Sequence, residues 1–104
     1  MLILNQDKEQ REGGNMWKIT RDKLFENGVT DKIATGVSSR NYDGRKLDYK
    51  FRLKDDDGEI YYHGEANSND DDKAFNPLDD FGAPSAGCTT IEYYNKVTHK
   101  WEIL

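Results

Sequence analysis

Leu47-Asp48-Tyr49-Lys50-Phe51-Arg52-Leu53-Lys54 alternates apolar and polar residues without a break. In an extended chain Leu47, Tyr49, Phe51 and Leu53 fall on one side, and Asp48, Lys50, Arg52 and Lys54 on the other. A period of two held over eight residues marks a strand buried on one face, the pattern of an antiparallel sheet. Asp55-Asp56-Asp57-Gly58 then turns the chain, because Asp hydrogen-bonds its own backbone and Gly accepts positive φ. Glu59-Ile60-Tyr61-Tyr62-His63-Gly64 returns as the partner strand, and the whole reads as a β-hairpin.

Working outward, residues 67–81 read as a polar loop broken by Asn76-Pro77 and ending in Phe81-Gly82-Ala83-Pro84. A second strand pair follows, residues 88–94 and 99–104, joined by a turn at 95–98. Thr89, Ile91 and Tyr93 are expected on one face, with Trp101 and Ile103 opposite them. Upstream, Trp17-Lys18-Ile19-Thr20 reads as a first strand. Thr20 is placed to cap a short helix over 21–27, with Leu24 and Phe25 as its apolar contacts and Gly28 as its left-handed stop. Residues 29–42 read as loop, with an edge strand near 33–37. Residues 1–15 are expected to form a flexible polar leader and residues 16–104 one domain. The fold class is α+β, mainly β: a single antiparallel sheet, or a small incomplete barrel, of about five strands with one short helix.

The 104 residues suffice for one core, anchored by six Tyr, four Phe and two Trp. No apolar run is long enough to span a membrane, and the N-terminus has no basic n-region followed by an apolar stretch of signal-peptide length. A cytoplasmic protein is expected. The single Cys88 cannot form an internal disulfide, and reads as a small buried residue at a strand start.

Charge is distributed unevenly. Residues 55–80 hold ten carboxylates against one base, Lys73, so that stretch carries −9 while the chain carries −5. The remainder is therefore net positive by about four. Like charges at that density repel unless water, a cation or a basic partner offsets them. The overall acidity argues against sequence-independent nucleic-acid binding, which depends on Lys and Arg facing phosphates.

The pieces Trp17-Lys18-Ile19-Thr20-Arg21-Asp22-Lys23-Leu24, Asp55-Asp56-Asp57-Gly58-Glu59, Pro77-Leu78-Asp79-Asp80-Phe81-Gly82 and Ala86-Gly87-Cys88-Thr89 stand in one order along residues 16–104. In this the chain resembles a family of small bacterial and phage-borne proteins with no assigned function. The resemblance implies a compact domain of bacteria or their mobile elements, and no activity.

No catalytic constellation emerges. Asn67, Asn69 and Asp71 reproduce the alternating oxygens that open a calcium loop, but Asp72 stands at the sharp-turn glycine and Leu78 at the bidentate glutamate. A calcium-binding structural domain using residues 67–72 is the alternative reading. His63, His99 and Cys88 lack the paired spacing of a zinc site. Ala83-Pro84-Ser85-Ala86-Gly87 approaches a nucleophile elbow, yet a proline precedes the serine and a strand follows. Asp79-Asp80 beside Phe81 reads as a turn-capping pair, and Lys50, Arg52 and Lys54 as a salt-bridge ladder with Glu59, Glu65 or Glu92. The expected function is therefore non-enzymatic and cofactor-free: a small acidic protein-binding module or inhibitor for a basic protein. A phage or plasmid anti-defence protein that mimics nucleic-acid charge is one form of it. Its contact residues are Asp55, Asp56, Asp57, Asp70, Asp71, Asp72, Asp79 and Asp80, with Tyr61 as an aromatic anchor.

Overall fold

The hairpin forms as the alternation dictates. In the computed structural model, which describes residues 15–69 and 72–104, β2 (Tyr49–Lys54) pairs antiparallel with β3 (Ile60–Ala66). Phe51 and Leu53 are fully buried on one face, opposite Gly64 and Tyr62. Burying each of those two side chains is worth about 2 kcal/mol or somewhat more. β1 (Trp17–Asp22) adds to the far side of β3; β4 (Thr90–Asn95) and β5 (Lys100–Ile103) add beyond β2. The strand order is β1-β3-β2-β4-β5, every pair antiparallel, and the sheet stays open rather than closing into a barrel.

One face of the sheet carries the core: Trp17, Ile19, Phe51, Leu53, Tyr62, Ala66, Ile91 and Tyr93. A helical run over 72–86 covers it, contributing Ala74, Leu78 and Phe81. The polar loop expected over 67–81 is in fact largely helical. It comprises a 3-10 turn (Asp72–Phe75), a π-turn (Leu78–Gly82) and α2 (Ala83–Ala86), numbered after α1 below. Proline explains both the expectation and the outcome. Pro84 lacks an N–H and would crowd the carbonyl four residues back in a regular helix. The π-turn just before it widens the helix, with Ala83 N–H donating to Leu78 O five residues back. Ser85 accordingly lies in α2, not at a nucleophile elbow. Gly87, at φ +71°, ends the run in the left-handed conformation.

At the N-terminal edge, Thr20 remains in β1 and Asp22 is the helix cap instead. Asp22 Oδ1 accepts the Phe25 N–H at 3.0 Å to open α1 (Lys23–Glu26). Its Oδ2 accepts the Ala34 N–H at 2.8 Å, which anchors a strap running back along β1. The strap contacts β1 slightly later than 33–37: Gly36 N–H donates to Ile19 O, Ser39 N–H to Trp17 O, and Ser38 bridges Lys18. Asn15, expected in the mobile leader, is buried, and its Nδ2 donates to Ser68 O at 3.3 Å. The rest of that expected leader, residues 1–14, lies outside the described residues.

The β4–β5 pair forms, with Trp101 and Ile103 on the face opposite Ile91 and Tyr93. Ile91 and Tyr93 point into the core, whereas Trp101 and Ile103 pair with Tyr94 and Glu92 on the uncovered face. Thr89 is exposed ahead of β4. Among the described residues no helix is long and apolar enough to cross a membrane.

Candidate functional site

Asp55 forms the hairpin tip rather than standing free on it. Its Oδ1 accepts the N–H groups of Asp57 at 2.9 Å and Glu59 at 2.8 Å, while Gly58 takes φ +85°. The Glu59 N–H first, with the Tyr61 hydroxyl and the Asp57 N–H, holds the Asp55 carboxyl below its ordinary pKa. That leaves Asp56, Asp57 and Glu59 as the exposed carboxylates of the tip. Tyr61 departs from its expected role as a surface anchor. The register slips between Leu53 and Lys54, so Tyr61 falls out of the alternation and lies half-buried against the core.

The second acidic group rides on the helical layer. Leu78, Phe81 and Gly82 face inward, leaving Asp79 and Asp80 exposed on the outer side; Asp72 is exposed where the run begins. Asp70 and Asp71 lie outside the described residues. The run ends against the base of the hairpin, where a Cβ added at Gly82 would lie 2.9 Å from Leu53 Cδ1 and where Thr89 N–H donates to Lys54 O. Tip and helical layer are thus neighbours, though no hydrogen bond or ion pair joins their carboxylates among the described residues.

The uncovered sheet face behaves differently. Its carboxylates are each matched by cations: Glu65 by Lys18 at 3.8 Å, and Glu92 by Arg52 and by Lys54 at 3.1 Å. Arg21 and Lys23 pair with Glu26, and Asp43 with Arg45, at the periphery. The ladder read from Lys50, Arg52 and Lys54 is therefore real for Arg52 and Lys54. Arg52 also stacks on Trp101, 4.4 Å from guanidinium carbon to ring centre, and Trp101 packs edge-on to Tyr94. Burial first, then Arg21 and Arg52, push His63 below its usual pKa, so it is neutral at pH 7.

By contrast Asp56, Asp57, Glu59, Asp72, Asp79 and Asp80 take no ion pair among the described residues. Asn67, the first oxygen of the calcium reading, is already engaged: its Oδ1 accepts the Met16 N–H at 2.9 Å. Among the described residues no group of three or more His, Cys, Asp or Glu side chains is placed to hold a metal ion. Cys88 is buried, and that burial lifts its thiol to about 11, so it is not a nucleophile at neutral pH.

One feature had no signal in the sequence. A cleft of about 500 Å³ opens between β1, the strap and the helical layer, lined by Asn15, Trp17, Val37, Arg40, Asp80 and Phe81 among others. Its residues come from three separate segments, so only the assembled fold brings them together.

Fold and surface together define a small open-faced α+β protein with neutralised charge on its sheet and unpaired acidity at one hairpin tip and on its helical layer. Comparison with protein-family models, with curated proteins and with solved structures finds no match to this chain.

Proposed function

We propose that this chain is a small acidic protein-binding module or inhibitor that engages a basic protein through Asp56, Asp57, Glu59, Asp72, Asp79 and Asp80. One observation carries the reading: these six exposed carboxylates gather on the hairpin tip and the adjoining helical layer without an ion pair among the described residues. The other exposed carboxylates without one among those residues, Asp31, Asp48 and Glu102, lie apart from one another in the sequence, and Glu26, Asp43, Glu65 and Glu92 are each paired with Lys or Arg. A surface left unneutralised in this way steers a cationic partner and rejects acidic competitors. With Asp55 used in the turn and Tyr61 half-buried against the core, the proposed contact set does not include those two. An inhibitor that occupies a basic nucleic-acid channel is the specific form of this reading.

The test compares the natural chain with a variant in which Asp56, Asp57, Asp72, Asp79 and Asp80 are all Asn. Binding to basic proteins captured from a bacterial lysate is measured across a salt series. The natural chain is expected to bind at least about tenfold more tightly at low salt, with the gap closing as ions screen the surface. Equal affinity and equal salt slope for the two chains sink the proposal.

A further inference from the structure

The two edges of the sheet are finished differently. Along β1 the strap takes up the outward backbone groups: Ile19 N–H donates to Val37 O, Gly36 N–H to Ile19 O and Ser39 N–H to Trp17 O. Trp17 N–H donates to Ser39 Oγ at 3.0 Å. On the outer edge of β5, by contrast, there is no strand and no backbone hydrogen bond among the described residues. Leu104 N–H donates to Ile91 O at 3.1 Å. Backbone groups alternate in direction along an antiparallel ladder, so Glu102 also turns its own toward β4, and Trp101 and Ile103 turn theirs outward. Two N–H and two C=O groups therefore stand in a row on the open edge, the template on which another strand adds. Beside them Ile103 is 72 % exposed on the uncovered face.

We infer that β5 is a self-association edge: the β5 of a second copy pairs antiparallel with it about a two-fold axis at Glu102, so that Trp101 of each copy lies opposite Ile103 of the other. The strand is complementary to itself in this register. The outward N–H and C=O of Trp101 meet those of Ile103 in the second copy, twice over, and none of these groups is left unmatched. Trp101 and Ile103 share the uncovered face, so each crossing sets an aromatic ring against a β-branched side chain, a favoured cross-strand pair. Glu102 faces its own counterpart, which repels. Lys100, two residues back on the same face, reaches the other copy's Glu102 diagonally and offsets that repulsion. Neither Lys100 nor Glu102 has an ion pair among the described residues, and Glu102 Oε2 accepts from the Asn95 amide at 3.2 Å. Pairing consumes the open edge of both copies, and the strap covers β1 in each, so the assembly closes at two. One short strand is a small interface, and a Kd of roughly 100 µM is expected. None of these residues belongs to the acidic contact set, so the inference stands apart from the proposed function.

The test follows the full chain by sedimentation equilibrium from about 10 µM to about 1 mM. Isotope-filtered NMR on a mixture of labelled and unlabelled chains reads contacts between copies. The mass is expected to double as concentration rises, with contacts from the Trp101 indole of one copy to the Ile103 methyls of the other. Two variants spare the β4–β5 ladder: Ile103→Lys alters a side chain that already faces solvent, and Ile103→Pro removes an N–H that points away from β4. Each should weaken the dimer at least about tenfold, because the two-fold axis counts every loss twice. Lys100→Glu should weaken it by about the same factor, and adding Glu102→Lys to that variant should restore it, since the exchanged charges again attract across the axis. Spectra at low concentration, where every chain is monomeric, check that the variants keep the fold. A natural chain that stays monomeric to about 1 mM overturns the inference, and so does a dimer that both Ile103 variants leave unchanged. Slow amide exchange at Trp101 and Ile103 in the monomer overturns it too, because another segment of the chain would then already cover the edge.

Discussion

Two single residues set how tightly the sheet is drawn together. Gly64 sits at its centre, opposite both Ile19 and Phe51. A Cβ there would lie 2.5 Å from the Lys18 carbonyl oxygen and closer still to the Phe51 ring. The ring has some freedom to swing aside; a carbonyl fixed in a ladder has none. Gly64→Ala is therefore expected to cost about 3 kcal/mol, read as a lowered urea midpoint with little change in slope. Glu92 is the second. Burial alone would raise its pKa, but hydrogen bonds from Arg52 and Lys54 outweigh that and lower it. A carboxyl depressed by folding stabilises the native state above its unfolded pKa, near 4.5, and loses that contribution as pH falls through the folded value. Glu92→Gln should thus cost about 1–2 kcal/mol at pH 7, discounted because the two cations remain about one-fifth exposed. The difference between the chains should shrink in denaturant titrations taken stepwise below pH 4.5.

At the scale of elements, Asp22 joins three of them with one carboxylate: it ends β1, caps α1 and anchors the strap. Asp22→Ala should cost about 2 kcal/mol, and amide exchange should rise at Phe25 and Ala34 before it rises in the sheet. The same residue shows what sequence alone could and could not reveal. The β2–β3 hairpin was legible because its alternation and its Asp-Gly turn point to the same structure. The cap was misplaced by two residues because Thr20 and Asp22 are both competent caps, and the choice depends on where β1 stops pairing. Helix over 72–86 was hidden by Pro77, Gly82 and Pro84, whose local signals all favour a loop; packing against Leu53, Cys88 and the Trp17–Tyr62 face overrides them. The turn that joins β4 to β5 holds His99 at φ 60°, a left-handed conformation that no periodicity in six residues reports. Of the candidate site, the exposed carboxylates were legible from charge density, while the separate role of Asp55 and the cleft at Asn15 and Trp17 require the third dimension.

For the whole molecule the question is whether its acidity serves the fold. Folding places Lys18, Arg52 and Lys54 of the sheet face beside carboxylates that neutralise them, and leaves Asp56, Asp57, Asp72, Asp79 and Asp80 exposed on adjoining elements without cationic partners among the described residues. Such an arrangement repels itself, and the repulsion weakens as salt shortens its range. Two consequences separate a functional surface from a structural one. Replacing those five residues by Asn should raise the low-salt Tm by about 2–5 °C, because repulsion is removed while the one hydrogen bond at Asp57, from its backbone N–H to Asp55, is kept. Added sodium chloride should raise the Tm of the natural chain toward that of the variant, while the variant stays nearly flat. Both are read from thermal scans at two ionic strengths. A variant less stable than the natural chain at low salt would mean that these carboxylates hold the fold together, and the case for a steering surface would lose its footing. A more stable one would mean that the natural chain carries a charge its fold does not need, and a basic partner is the counterpart that makes physical sense of it.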